Sequence, residues 1–170
     1  MFPGNPLLCV GKYIPGADGA TDHYTKPKNE WRGLEKWELI VPSPMAARTG
    51  LTKQGRESQH TLDATGPRRF LICEFDKGTP DEHAALLLYL ALYAPMVLAL
   101  HSGGKSMHGW FYAAGQPEDK LERWMRHAVA IGADDATWSR CQFCRMPDGR
   151  RGNGKRQTVF YFNPNALSKT

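Results

Sequence analysis

The chain has 170 residues and a mass of 19.1 kDa, enough for one domain with a packed core and too few for two of ordinary size. Its 41% hydrophobic and 23% charged residues are those of an ordinary globular protein, which excludes a wholly disordered chain, a collagen or a long coiled coil. The net charge of +5 is concentrated: residues 140–170 hold seven bases (Arg140, Arg145, Arg150, Arg151, Lys155, Arg156, Lys169) against Asp148 alone, a balance that suits a surface meeting phosphate or a solvated basic loop.

Residues 1–69 are rich in Gly, Pro and polar side chains and predict an irregular N-terminal part of the same domain. Within them one strand is expected over Trp37–Val41, closed by Pro42 and Pro44. Thr52–Arg69 holds little that can be buried and predicts a long mobile loop. The pattern sharpens at Phe70–Phe75, an apolar run followed by Asp76, Lys77 and Gly78, which predicts a buried strand with acids at its exit. Thr79, Pro80 and Glu82 then form a capping box with proline at the first helical position, so a helix is expected from there to Tyr93. Pro95 stops it.

Met96–Leu100 reads as a second buried strand leading into His101-Ser102-Gly103-Gly104, and Met107–Ala113 as a third. Leu121, Trp124, Met125, Ala128 and Val129 recur at helical spacing after Pro117, with Gly132 as the stop. A last strand is expected over Thr158–Phe162. The longest apolar stretch, residues 84–100, is interrupted by Tyr89 and Tyr93 and broken by Pro95, so no membrane span is expected. The first twelve residues lack a basic region followed by an apolar run, and four cysteines are too few for a disulfide scaffold; a reducing cytoplasm is the expected compartment.

Chemistry concentrates on two segments. Glu74 and Asp76, two apart on a strand end, project from one face and repel. Either a hard cation such as Mg²⁺ or Mn²⁺ lies between them, or the strand is already ending and Glu74 pairs with a base such as Arg69. Leu98–Ser106 superficially matches a P-loop through Gly104, Lys105 and Ser106, but Ala99 occupies the first glycine position and the aromatic segment after it is strand-like where a phosphate-binding helix is required. What remains is a glycine turn bearing Ser102, Lys105 and His108, whose hydroxyl, ammonium, imidazole and backbone N–H groups suit a triphosphate. Cys141 and Cys144 form a Cys-x-x-Cys without the second ligand pair that a zinc site needs. Trp124, Trp138 and Phe143 read as core.

Glu74-Phe75-Asp76 at a strand end, Ser102-Gly103-Gly104-Lys105-Ser106-Met107-His108 between two strands, and an acid after the next helix together resemble the archaeo-eukaryotic primase superfamily, above all the primase-polymerases of plasmids, phages and mobile elements. Asp134 takes the third acid position, with Asp135 as the alternative, and Arg145-Met146-Pro147-Asp148-Gly149 resembles an Arg-x-Pro-x-Gly signature of those replication proteins. Glu74 stands where aspartate is commoner. The resemblance covers about residues 70–164, and it makes 70–170 the catalytic core.

It implies an α+β fold with a mixed or antiparallel sheet and packed helices, and a DNA primase or polymerase that transfers nucleotides from NTP or dNTP to a 3′-hydroxyl. Glu74, Asp76 and Asp134 would bind two Mg²⁺ or Mn²⁺ ions, with His108 also catalytic. Ser102, Gly103, Gly104, Lys105, His108 and Arg145 would hold the nucleotide, while Arg150, Arg151, Lys155 and Arg156, in a flexible glycine-rich loop, would meet DNA interchangeably. Implied partners are a single-stranded DNA template and a replicative helicase. Two rival readings are a non-catalytic nucleic-acid-binding domain of a replication protein and a metal-dependent nuclease or relaxase; a relaxase would need a nucleophilic tyrosine with clustered histidines.

Overall fold

The computed structural model describes residues 1–168; Lys169, counted above in the basic segment, lies outside the described residues. The fold is α+β in three layers. One sheet has the order β2-β1-β3-β9, formed by β1 (Leu7–Tyr13), β2 (Thr21–Pro27), β3 (Leu39–Ile40) and β9 (Cys144–Arg145). The other has the order β10-β7-β8-β6, formed by β6 (Phe70–Glu74), β7 (Met96–His101), β8 (Met107–Tyr112) and β10 (Val159–Phe162). All their pairings are antiparallel. Two helices, α1 (Pro80–Leu90) and α2 (Glu118–Ala130), cover the outer face of the second sheet.

Strand alternation divides the core in two. On β6, Phe70 and Ile72 turn toward the first sheet and meet Leu8, Val10 and Ile40, while Leu71 and Cys73 turn toward Leu87, Leu90, Leu121 and Met125 of the helices. The capping box at α1 forms as expected: Thr79 Oγ1 accepts from Glu82 N at 3.3 Å and Thr79 N donates to Glu82 Oε2 at 2.7 Å. His83 on this helix is fully buried; its Nε2 donates to Lys77 O at 2.8 Å and its Nδ1 accepts from Met107 N at 3.3 Å.

Two expectations for the N-terminal part are corrected. It is not an irregular wrapping with a single strand: β1 and β2, of seven residues each, form an antiparallel hairpin, and β4 (Gly50–Leu51) pairs with β5 (Glu57–Ser58). Nor is Thr52–Arg69 a long free loop, because Thr61, Ala64, Thr65 and Arg68 are buried and Ala64 O accepts from Ala46 N at 2.7 Å. Arg68 is held by Glu118 at 2.8 Å and lies over the Trp138 ring. Among the described residues no helix is long and apolar enough to cross a membrane.

Candidate functional site

The parity that sends Phe70 and Ile72 into the gap between the sheets also sends Glu74 there, at the strand's end. His108 is its direct cross-strand partner on β8 and shares its face with Trp110. The two side chains therefore meet at the mouth of the intersheet gap, with His108 Nδ1 2.8 Å from Glu74 Oε2. The approach is bent away from the ring N–H direction, which leaves Nδ1 without a straight hydrogen bond, so the contact is chiefly electrostatic. Burial pushes the Glu74 carboxyl up, but His108, Arg145 and the approach of Asp134 outweigh it and hold the group below its ordinary value, as an anion.

Around this pair lies a cavity of about 270 Å³ whose lining includes Glu74, Asp76, Ser102, Gly104, Lys105, Ser106, His108 and Arg145, together with Tyr13, Phe143 and Arg151. Two carboxylates separated by one residue thus share a cavity with the glycine turn. The alternative partner for Glu74 is engaged elsewhere, since Arg69 Nε donates to Met1 O at 2.6 Å.

The glycine turn is internally braced. Ser102 is buried, and its Oγ accepts from Gly104 N, Ser106 N and Ser106 Oγ at 3.1–3.3 Å; Ser106 Oγ in turn lies 3.1 Å from His108 Nε2. Gly103 has φ +72, and a Cβ there would stand 2.9 Å from Arg156 O, so turn and basic segment pack backbone against backbone. Lys105 is exposed at the cavity mouth.

Asp134 and Asp135 are separated by the fold. Asp134 N donates to Glu74 O at 3.0 Å, placing it beside the acid strand, whereas Asp135 faces a different hollow with Glu122, Met125 and Arg126. Asp134 Oδ1, however, accepts from Ala136 N at 2.9 Å and caps the short 3-10 helix Asp135–Trp138. Among the described residues no three His, Cys, Asp or Glu side chains are placed together to hold a metal ion. The expected three-carboxylate set is therefore not assembled: Glu74 is drawn to His108, and Asp134 to a helix end. Glu74 and Asp76 fit a divalent ion by chemistry, being two hard oxygen ligands in one cavity, one of them held ionised.

The basic segment is not a flexible loop of equivalent cations. Arg150 and Arg156 form a β-bridge, and Arg151 N donates to Lys155 O at 2.9 Å, so the segment is a tight hairpin. Arg151 turns into the cavity wall over Gly104, Arg156 pairs with Asp148 at 3.0 Å, and Arg150 and Lys155 remain exposed.

Glu38 is the residue that sequence reasoning missed. It is only 4% exposed, and its carboxylate receives Arg145 Nη1 at 2.5 Å, Gly152 N at 3.3 Å and Arg151 Nε at 3.6 Å. Its backbone carbonyl accepts from Met146 N and from the buried Gln157 amide, each at 3.0 Å. One buried acid thus aims two arginines at the cavity. No local signal marks it, because Arg145 lies 107 residues away. Arg145 also lies over the Tyr13 ring. Cys144 donates its thiol to Ile40 O at 3.1 Å and is pushed up by burial, which suits packing better than metal ligation.

No family model matches the chain, and no curated protein matches it. Among solved structures it is similar to the AEP domain of the cyanophage S-2L primase-polymerase, with a TM-score of 0.64 over 93% of this chain and 82% of that one, at 15% identity. At that identity the likeness is one of fold, and the α+β architecture described above is AEP-like.

Proposed function

We propose that the chain is a DNA primase or polymerase, transferring nucleotides from triphosphates to a 3′-hydroxyl under the direction of a single-stranded template. The observation that supports this reading is the single cavity in which Glu74, Asp76, the glycine turn and Arg145 meet on an AEP-like fold. Glu74 and Asp76 would hold a divalent ion, which would neutralise charge on the transferring phosphoryl group and the departing pyrophosphate and favour ionisation of the attacking hydroxyl. Lys105, Arg151 and the turn's backbone N–H groups bind the triphosphate. Arg145, fixed by Glu38, clamps phosphate or sugar, and His108 orients Glu74. Incubation with single-stranded template, labelled nucleotides and Mn²⁺ should give template-dependent product; no product overturns the reading.

A second reading, a binding domain without chemistry, is favoured by the engagement of Glu74 with His108 and of Asp134 with Ala136 N–H. It predicts that nucleotide raises the melting temperature equally with and without Mn²⁺ and that no product forms.

Lys105→Ala is expected to raise KM for nucleotide by roughly ten- to a hundredfold, the loss of one charge-assisted hydrogen bond, while template Kd stays unchanged. A fall in template affinity alone would move the glycine turn to the DNA path. Neutralising Arg150 and Lys155 together should flatten the log–log salt dependence of single-strand binding by about 1.4, about 0.7 for each lost phosphate contact. Titrations at several salt concentrations check this.

A further inference from the structure

β10 carries three consecutive aromatic side chains, Phe160, Tyr161 and Phe162, that are 71%, 41% and 51% exposed. A strand with a covered face turns alternate residues into the core; here Val159 packs partly against the core, but the three residues after it are all exposed. The register shifts between Val159 and Tyr161, a bulge at Phe160 of the kind that re-aims side chains. β10 is also an outer strand: among the described residues it pairs only with β7, and none pairs with its far edge. Exposed aromatic rings on an open edge are a liability unless something covers them.

The surroundings indicate what does. The chain enters β10 directly from the basic hairpin, whose Arg150 and Lys155 are exposed and make no ion pair among the described residues. Thr158 O, at the start of the strand, accepts from His101 N at 2.8 Å, beside the glycine turn. Along the chain, the exposed cations are followed by the strand's exposed aromatic rings, starting beside the glycine turn.

We propose that the basic hairpin and β10 form a track for single-stranded nucleic acid, with phosphates on Arg150 and Lys155 and bases stacked on Phe160 and Phe162. Every base has a π-face, so the track takes bases without regard to sequence. A polyanion complements the flanking cations, whereas a second copy of a chain with net charge +5 would bring like charge to the same segment. The inference rests on the reading of the chain as a template-using transferase and locates the strand's path outside the cavity.

The test compares an oligothymidylate with the same strand carrying central abasic sites, at fixed salt, for the parent chain and for Phe160→Leu/Phe162→Leu. Leucine keeps the strand apolar and removes the ring. The parent should bind the intact strand at least about tenfold more tightly than the abasic one, and the double variant should bind both alike. The melting shift given by nucleoside triphosphate should be unchanged. Equal loss of affinity for both strands would overturn the track, as would sedimentation showing a dimeric parent and a monomeric variant, which would make β10 an interface between copies. A parent that makes no product yet distinguishes the two strands through these rings keeps the track and loses the transferase reading; a parent that makes product but is indifferent to the rings does the reverse.

Discussion

Asp76→Asn is expected to lower nucleotide incorporation by about a thousandfold or more while leaving the melting temperature within about 2 °C of the parent. The side chain is exposed just past the end of β6 and makes no hydrogen bond or ion pair among the described residues, so its removal should cost no more stability than an ordinary surface change, about 0.5 kcal/mol. Its place in the cavity beside Glu74 sets the other half of the expectation. Loss of an ion-binding carboxylate removes several kcal/mol of charge stabilisation in the transition state, and about 4 kcal/mol corresponds to a factor of a thousand. Primer extension with labelled nucleotide and a calorimetric scan measure both quantities, and parental incorporation by the variant would remove Asp76 from the chemistry.

Glu38→Ala should have the largest effect on stability. Arg145 is mostly buried, and Arg151 partly so; without the carboxylate they keep their charge and lose its partner. Breaking a buried pair in this way costs about 3–5 kcal/mol, equivalent to a fall in melting temperature of roughly 10 °C for a chain of this size. Glu38→Leu combined with Arg145→Leu removes both charges of the closer pair and should recover much of that loss, because an apolar replacement of a buried pair is often neutral. Nucleotide affinity should not return with it, since Arg145 is then absent from the cavity. Recovery of both would make the pair purely structural.

The part of the chain from β6 to α2 was legible because its signals are local. Thr79 and Glu82 close their capping box within four residues, Pro95 follows the last residue of α1 by five positions, and the β7–β8 turn is written in adjacent glycines. β1 and β2 were not legible. Thr21–Pro27 is largely polar, and the burial of Cys9 and Val10 is supplied by β3 and by Met45 and Ala64, which lie far along the chain. β9 has two residues, too few for any period, although it carries Arg145. The acids, the glycine turn and His108 were readable as residue types at a spacing; that Asp134 caps a helix end and that Arg151 turns into the cavity wall depends on contacts no spacing encodes.

The buried ring of His83 has a consequence for how the cavity meets its ligand. Its Nε2 fastens the turn that follows the two acids, and its Nδ1 fastens the first residue of the strand that follows the glycine turn. The acid strand and the glycine turn are thereby joined across the α1 N-terminus and cannot wander independently. Little chain has to be ordered when a ligand arrives, so the conformational entropy that an induced-fit loop would lose on association has already been given up in folding.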